Sequence, residues 1–148
     1  MRISTTTHYA SRLLLDLALH ADSAPIPASK LSEHTGIPVK FVEKIVRPLK
    51  AAGFVKSVRG AMGGHYLGCQ PDDITLGSVV RLMDGGIRLS QCRANDASCN
   101  ACHECKTREV WLGVTEKLER ELDSITLADM LGSRKPGCWH MAMTGTEG

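Results

Sequence analysis

Residues 28–68, ASKLSEHTGIPVKFVEKIVRPLKAAGFVKSVRGAMGGHYLG, constrain the fold more than any other stretch of this chain. A short helix is expected over Ala28–His34, a tight turn at Thr35-Gly36-Ile37, and a longer helix from Pro38. Gly36 suits the turn of a helix-turn-helix, and Pro38 suits the first helical position. Val42, Ile45, Val46 and Leu49 form an inward stripe, which leaves Lys40, Lys44, Arg47 and Lys50 outside it. Pro48 conflicts with that helix and predicts a kink or an early end. Gly53 closes the helix. FVKSVRGAMGGHYLG then reads as two short strands around a glycine-bearing tip at Gly60–Gly64. Helix, turn, helix and hairpin in this order are the winged-helix plan.

The flanking segments complete a mainly α fold with a small β-wing. Tyr9, Leu13 and Leu17 recur every fourth residue in a helix expected over Ser4–Ala21, and Ser4 is suited to cap it. ADSAPIP breaks it. DDITLGSVVRLMDG predicts a helix with Leu76, Val79, Val80 and Met83 inward, its two aspartates complementing the N-terminus. TREVWLGVTEKLERELDSITLADML predicts one long helix, with Trp111, Val114, Leu118, Leu122 and Ile125 in a stripe about 20 Å long. Such a helix suits dimerisation. The expected organisation is a winged-helix domain over 1–84, a cysteine-rich loop over 85–106, a dimerisation helix over 107–131 and a flexible tail over 132–148.

Composition narrows the class. The 148 residues suit one domain or one domain with an appendage, and 4% aromatic content leaves the core to aliphatic side chains. Residues 1–68 carry 9 Lys/Arg and 4 Asp/Glu, a net +5, while residues 69–148 carry 9 and 12, a net −3. A basic front half suggests a polyanionic partner. The sequence shows no secretory signal and no apolar run long enough to span a membrane, so a cytoplasmic location is expected. In a reducing compartment, clustered cysteines point to metal ligation or thiol sensing rather than structural disulfides.

A recognition helix meets base edges with its N-terminal polar residues. Here these are Lys40, Glu43 and Lys44, with Phe41 placed to touch a thymine methyl. Pro38, at the helix start, joins this set. Arg59, followed by Gly60 at the hairpin tip, suits a narrow minor groove. Arg2 and Lys56 are candidate phosphate contacts.

CRANDASCNACHEC, residues 92–105, holds Cys92, Cys99, Cys102 and Cys105 in a C-x6-C-x2-C-x2-C pattern. Compact thiolate spacing of this kind resembles a ferredoxin run and suits an iron–sulfur cluster. Tetrahedral zinc and a metal-free thiol sensor are the alternatives, although structural zinc sites usually pair two separated C-x2-C knuckles. Cys69 is expected to be a small packed residue. His103 is a weaker candidate ligand. No dinucleotide, flavin or Ser/His/Asp motif supports an enzyme, and an electron-transfer protein is the less favoured class.

MRISTTTHYASRLLLDLALHA, LSEHTGIPVKFVEKIVRPLKAAGFVKSVRGAMGGHYL, ITLGSVVRLMDG and SITLADML together resemble the Rrf-two-type winged-helix transcription regulators, a family that includes iron–sulfur regulators and nitric-oxide sensors. The resemblance runs in register over about 130 residues. It implies a homodimeric repressor or activator on a near-palindromic DNA operator, sensing redox state, nitric oxide or iron and cluster status. It also implies a cluster held by three cysteines, at the places of Cys92, Cys99 and Cys105, with [4Fe–4S] favoured over [2Fe–2S]. The fourth ligand varies in the family. One branch uses a histidine where this chain has Arg108. Another uses an acidic residue of the partner subunit, at the place of His8. Cys102 is the extra thiol and an alternative fourth ligand, and a related branch places a ligand histidine near His34, a weaker candidate. The other implied readings are a cluster-free or zinc-containing regulator that uses its thiols or a protein partner.

Overall fold

The computed structural model describes residues 2–89 and 105–133. The chain forms α1 (Thr5–Leu19), α2 (Ala28–Thr35), α3 (Val39–Ala51), β1 (Val55–Val58), β2 (Gly64–Leu67), α4 (Leu76–Asp84) and α5 (Lys106–Asp123). The fold is mainly helical, and β1 and β2 make a two-stranded antiparallel wing with Val55 opposite Leu67 and Val58 opposite Gly64.

Each element begins and ends for a local reason. The Ser4 hydroxyl accepts the Thr7 N–H at 3.1 Å and caps α1. The helix ends at Leu19, and a 3-10 turn over Ala21–Ser23 follows. Gly36 ends α2 in the left-handed region at φ 72°, which a residue with a Cβ adopts only at a cost. Pro38 lies one position earlier than expected: it is the N-cap of α3, extended at ψ 140°. Pro48 does not end α3, which continues to Ala51. Fully buried Leu49 anchors the next turn, and the Ala52 N–H still reaches the Pro48 carbonyl at 3.0 Å. Asp72 and Asp73, expected to complement the N-terminus of α4, lie just ahead of it. They lie in a 3-10 turn, and Thr75 and Ser78 form a reciprocal capping box.

The core is aliphatic. Ala10, Leu13, Leu14 and Leu17 of α1 meet Leu31 of α2, Val42, Ile45, Val46 and Leu49 of α3, and Val79 of α4. Burying a Leu or Ile side chain contributes about 1.5–3 kcal/mol, so α1 is the post around which the helix-turn-helix and the wing assemble. The wing is fastened to that post at Ile26, whose backbone pairs with His65 through two hydrogen bonds of 2.8 Å. Gly64 permits this approach, because a Cβ there would lie 2.4 Å from the Ile26 carbonyl carbon.

The C-terminal helix is shorter than its sequence pattern predicts. It stops at Asp123 rather than running to Leu131. Ile125 belongs to no helix. Its carbonyl accepts the Leu76 N–H, and the Leu127 N–H donates to the Ile74 carbonyl, both at 2.8 Å. Ile125 and Leu127 are buried there. The expected apolar stripe therefore divides: its last member, Ile125, is buried beyond the helix, Leu127 after it joins the winged-helix core, and α5 itself buries no residue. An Arg81–Asp123 ion pair, with contacts of 2.6 and 3.1 Å, ties the end of α5 to α4.

Candidate nucleic-acid interface and ligand-bearing segment

The four buried positions of α3 recur at i, i+3, i+4 and i+7, which turns the opposite face to solvent. Lys40, Phe41, Glu43 and Lys44 all lie on that exposed face, with Pro38 at its head. Phe41 is 42% exposed, a high value for a large apolar side chain, and the Lys40 ammonium sits 5.8 Å from its ring centroid. The ammonium lies over one face of the ring, within cation–π range. On β1, Val55 is buried and Lys56 alternates out to solvent. Arg59 and Gly60 are exposed at the hairpin tip, where Gly60 has φ 112°. Arg2 is exposed ahead of α1. The expected set thus divides between the outer face of α3, the wing and the N-terminus.

A residue passed over in the sequence links the first two. His65 of β2 is half-buried, and its Nδ1 lies 2.7 Å from the Ser57 hydroxyl. Burial lowers its pKa below the ordinary imidazole value; Lys50 of α3 adds to this and Glu43 opposes it. No local pattern marks this histidine, because the groups that act on it come from another element.

Cys92, Cys99, Cys102 and His103 lie outside the described residues, as does Cys138. Cys105 is described. It is the N-cap of α5, half-buried, with its Sγ 3.0 Å from the Thr107 hydroxyl. The Thr107 hydroxyl and then the Arg108 backbone N–H hold its thiol pKa below the ordinary value, which raises its thiolate fraction. His8 is exposed on the first turn of α1. Cys69 packs half-buried against the core, and burial raises its pKa, as a small packed residue would require. Along α5, Val110, Trp111, Leu112 and Val114 stand 65%, 48%, 37% and 42% exposed, an apolar surface left open among the described residues.

A helix-turn-helix followed by a β-wing, with basic side chains on the open face of its second helix, defines a winged-helix DNA-binding protein. The chain belongs to the Rrf2 family of transcriptional regulators: the family described as an iron-dependent transcriptional regulator matches residues 3–133. It is 33% identical over 131 residues to the HTH-type transcriptional regulator IscR of Aliivibrio salmonicida, covering 88% of this chain and 77% of that protein. It is equally identical to Protein rrf2 of Nitratidesulfovibrio vulgaris, covering 88% and 87%. Among solved structures, IscR of T. potens matches with a TM-score of 0.71 at 33% identity, over 96% of both chains. CymR, the global cysteine regulator of B. subtilis, matches with a TM-score of 0.72 at 30% identity, over 90% of this chain and 98% of that one. These relatives are transcriptional regulators, in keeping with the expectation that the chain is not an enzyme. Among the described residues, no helix is long and apolar enough to cross a membrane.

Proposed function

We propose that this regulator acts as a homodimer that senses redox state, nitric oxide or iron status through an iron–sulfur cluster held by its cysteine segment. The observation that carries the reading is Cys105. It heads α5 with its thiol pKa lowered by the Thr107 hydroxyl, immediately before a helix whose apolar face is open among the described residues. Iron–sulfur clusters require thiolates, so the one described member of the cysteine set fits the group.

Cys92, Cys99 and Cys105 would hold the cluster, with Cys102 or His8 of the partner subunit as fourth ligand. When bound, the cluster supplies a redox-active and gas-reactive centre. The chain's own residues supply the readout. Cys105 joins the sensing loop to α5, and Arg81 and Asp123 join α5 to α4, which packs on α1. A His8 ligand would tie α1 to the loop directly. A Cys102 ligand would leave coupling to the loop and α5. Val110, Trp111, Leu112 and Val114 would meet their copies across the dimer. Lys40, Phe41, Glu43 and Lys44 would read the operator, Arg59 would enter the minor groove, and Arg2 and Lys56 would position the backbone.

The test is the visible spectrum and the iron and sulfide content of protein purified without oxygen. A brown protein with about four irons per chain supports [4Fe–4S], and half that iron supports [2Fe–2S]. A colourless, iron-free protein that still binds its operator overturns the cluster. A second reading, a cluster-free thiol regulator, is favoured by the similarity to CymR together with the depressed thiol pKa of Cys105. In that case operator binding would respond to thiol oxidation of the colourless protein.

A further inference from the structure

A second group of metal-type donors lies outside the cysteine segment. Asp16 is in the last turns of α1, His20 caps that helix, and His34 is in the last turn of α2. The Asp16 side chain is only 10% exposed, yet it faces two imidazoles. His34 Nδ1 lies 3.0 Å from Asp16 Oδ2, and His20 Nδ1 lies 3.2 Å from Asp16 Oδ1. His20 Nδ1 is also 3.0 Å from the Asp16 backbone carbonyl. The two rings are 4.5 Å apart between centroids and tilted by 30°. One donor atom from each residue falls within 4.8 Å of the other two.

We propose that Asp16, His20 and His34 form a mononuclear site for a zinc-class divalent ion. A tetrahedral ion with donor distances of about 2.0–2.2 Å separates its donors by about 3.3 Å. The two nitrogen–carboxylate separations are close to that value but run to different Asp16 oxygens, so a shared ion on one oxygen requires one imidazole to swing toward it. The histidine side chains are 42% and 33% exposed, so their rings can close the remaining gap while water takes the fourth position. Two imidazoles and a carboxylate suit zinc and its neighbours rather than magnesium or calcium. Binding requires each neutral imidazole to carry its proton on Nε2 instead of Nδ1, so the proton moves between ring nitrogens through solvent and net charge balances.

The position gives the site a consequence. It clamps the end of α1 to the end of α2, immediately before the Gly36 turn that leads into α3. Arg12 of α1 already donates to the Thr35 carbonyl at that junction. An ion here would stiffen the helix-turn-helix against α1 without using a cysteine.

The test is zinc titration of the full-length chain, labelled with nitrogen-15 at histidine and kept without oxygen, with the imidazole nitrogens followed by NMR. The expected result is that Nδ1 of His20 and His34 shift together to the metal-bound range and saturate with one ion at this site. H34Q and H20Q should each weaken that event by about tenfold or more, with helicity and operator binding in metal-free buffer retained. If zinc binds while both Nδ1 signals remain those of hydrogen-bonded N–H groups, the ion is on the thiols and the proposal fails. Unchanged zinc affinity in both variants overturns it equally. Because the readout is histidine nitrogen, its result is separable from the iron content that tests the cysteine segment.

Discussion

At the scale of single residues, exposure and charge determine what each side chain can do. Arg59 is exposed on a glycine-bearing tip, with a guanidinium free to approach DNA. Arg59→Ala is expected to weaken operator binding about tenfold at moderate salt and to reduce the slope of log affinity against log salt by about one. Lys40→Ala should instead cost about 1–3 kcal/mol and relax base preference at one operator position, measurable by binding to a set of single-base operator variants. His65 makes a pH prediction. Its folded pKa lies below its unfolded value, so the unfolded chain takes up the proton first as pH falls. Its stabilising contribution is therefore complete above the ordinary histidine range and declines as pH drops through about 6.5 toward the folded value. Urea titrations across that range should show a smaller pH dependence for His65→Gln than for the parent chain.

At the scale of elements, α1 and α5 behave as opposites. Leu13 of α1 is fully buried among three other helices. Leu13→Ala should destabilise the chain by about 2–5 kcal/mol in denaturant unfolding, since the surrounding helices cannot close the cavity. Trp111 of α5 is nearly half exposed on a helix with no buried residue. Trp111→Lys should leave the thermal stability of the winged-helix core nearly unchanged and shift sedimentation from dimer toward monomer. Equal sedimentation of both chains would remove α5 from the dimer interface. The periodicity of α1, α3 and α4 was legible because each buries one face within its own chain. The end of α5 was not. SITLADML has a helical pattern, but the backbone of Ile125 and Leu127 pairs with Ile74 and Leu76, and burial of those two side chains outweighs another turn of helix.

At the scale of the molecule, the chain is a winged-helix unit with an outward helix anchored at its far end by Arg81 and Asp123. The basic half of the sequence holds the helix-turn-helix and wing, while the acidic half holds α4 and α5. That separation puts the basic side chains on the helix-turn-helix and wing, and leaves α4 and α5 to carry the acidic ones. The sequence by itself determined the helices, the hairpin and the polar face of α3, because periodicity, glycine turns and caps act over a few neighbouring residues, and the family was legible in the motifs it shares over most of the chain. Only the tertiary structure decided the end of α5, the electrostatic influence of Lys50 and Glu43 on His65, and the meeting of Asp16 with His34 across 18 residues. Those features depend on distances between segments, and such distances exist only once the apolar faces of α1, α2, α3 and α4 have been buried against one another.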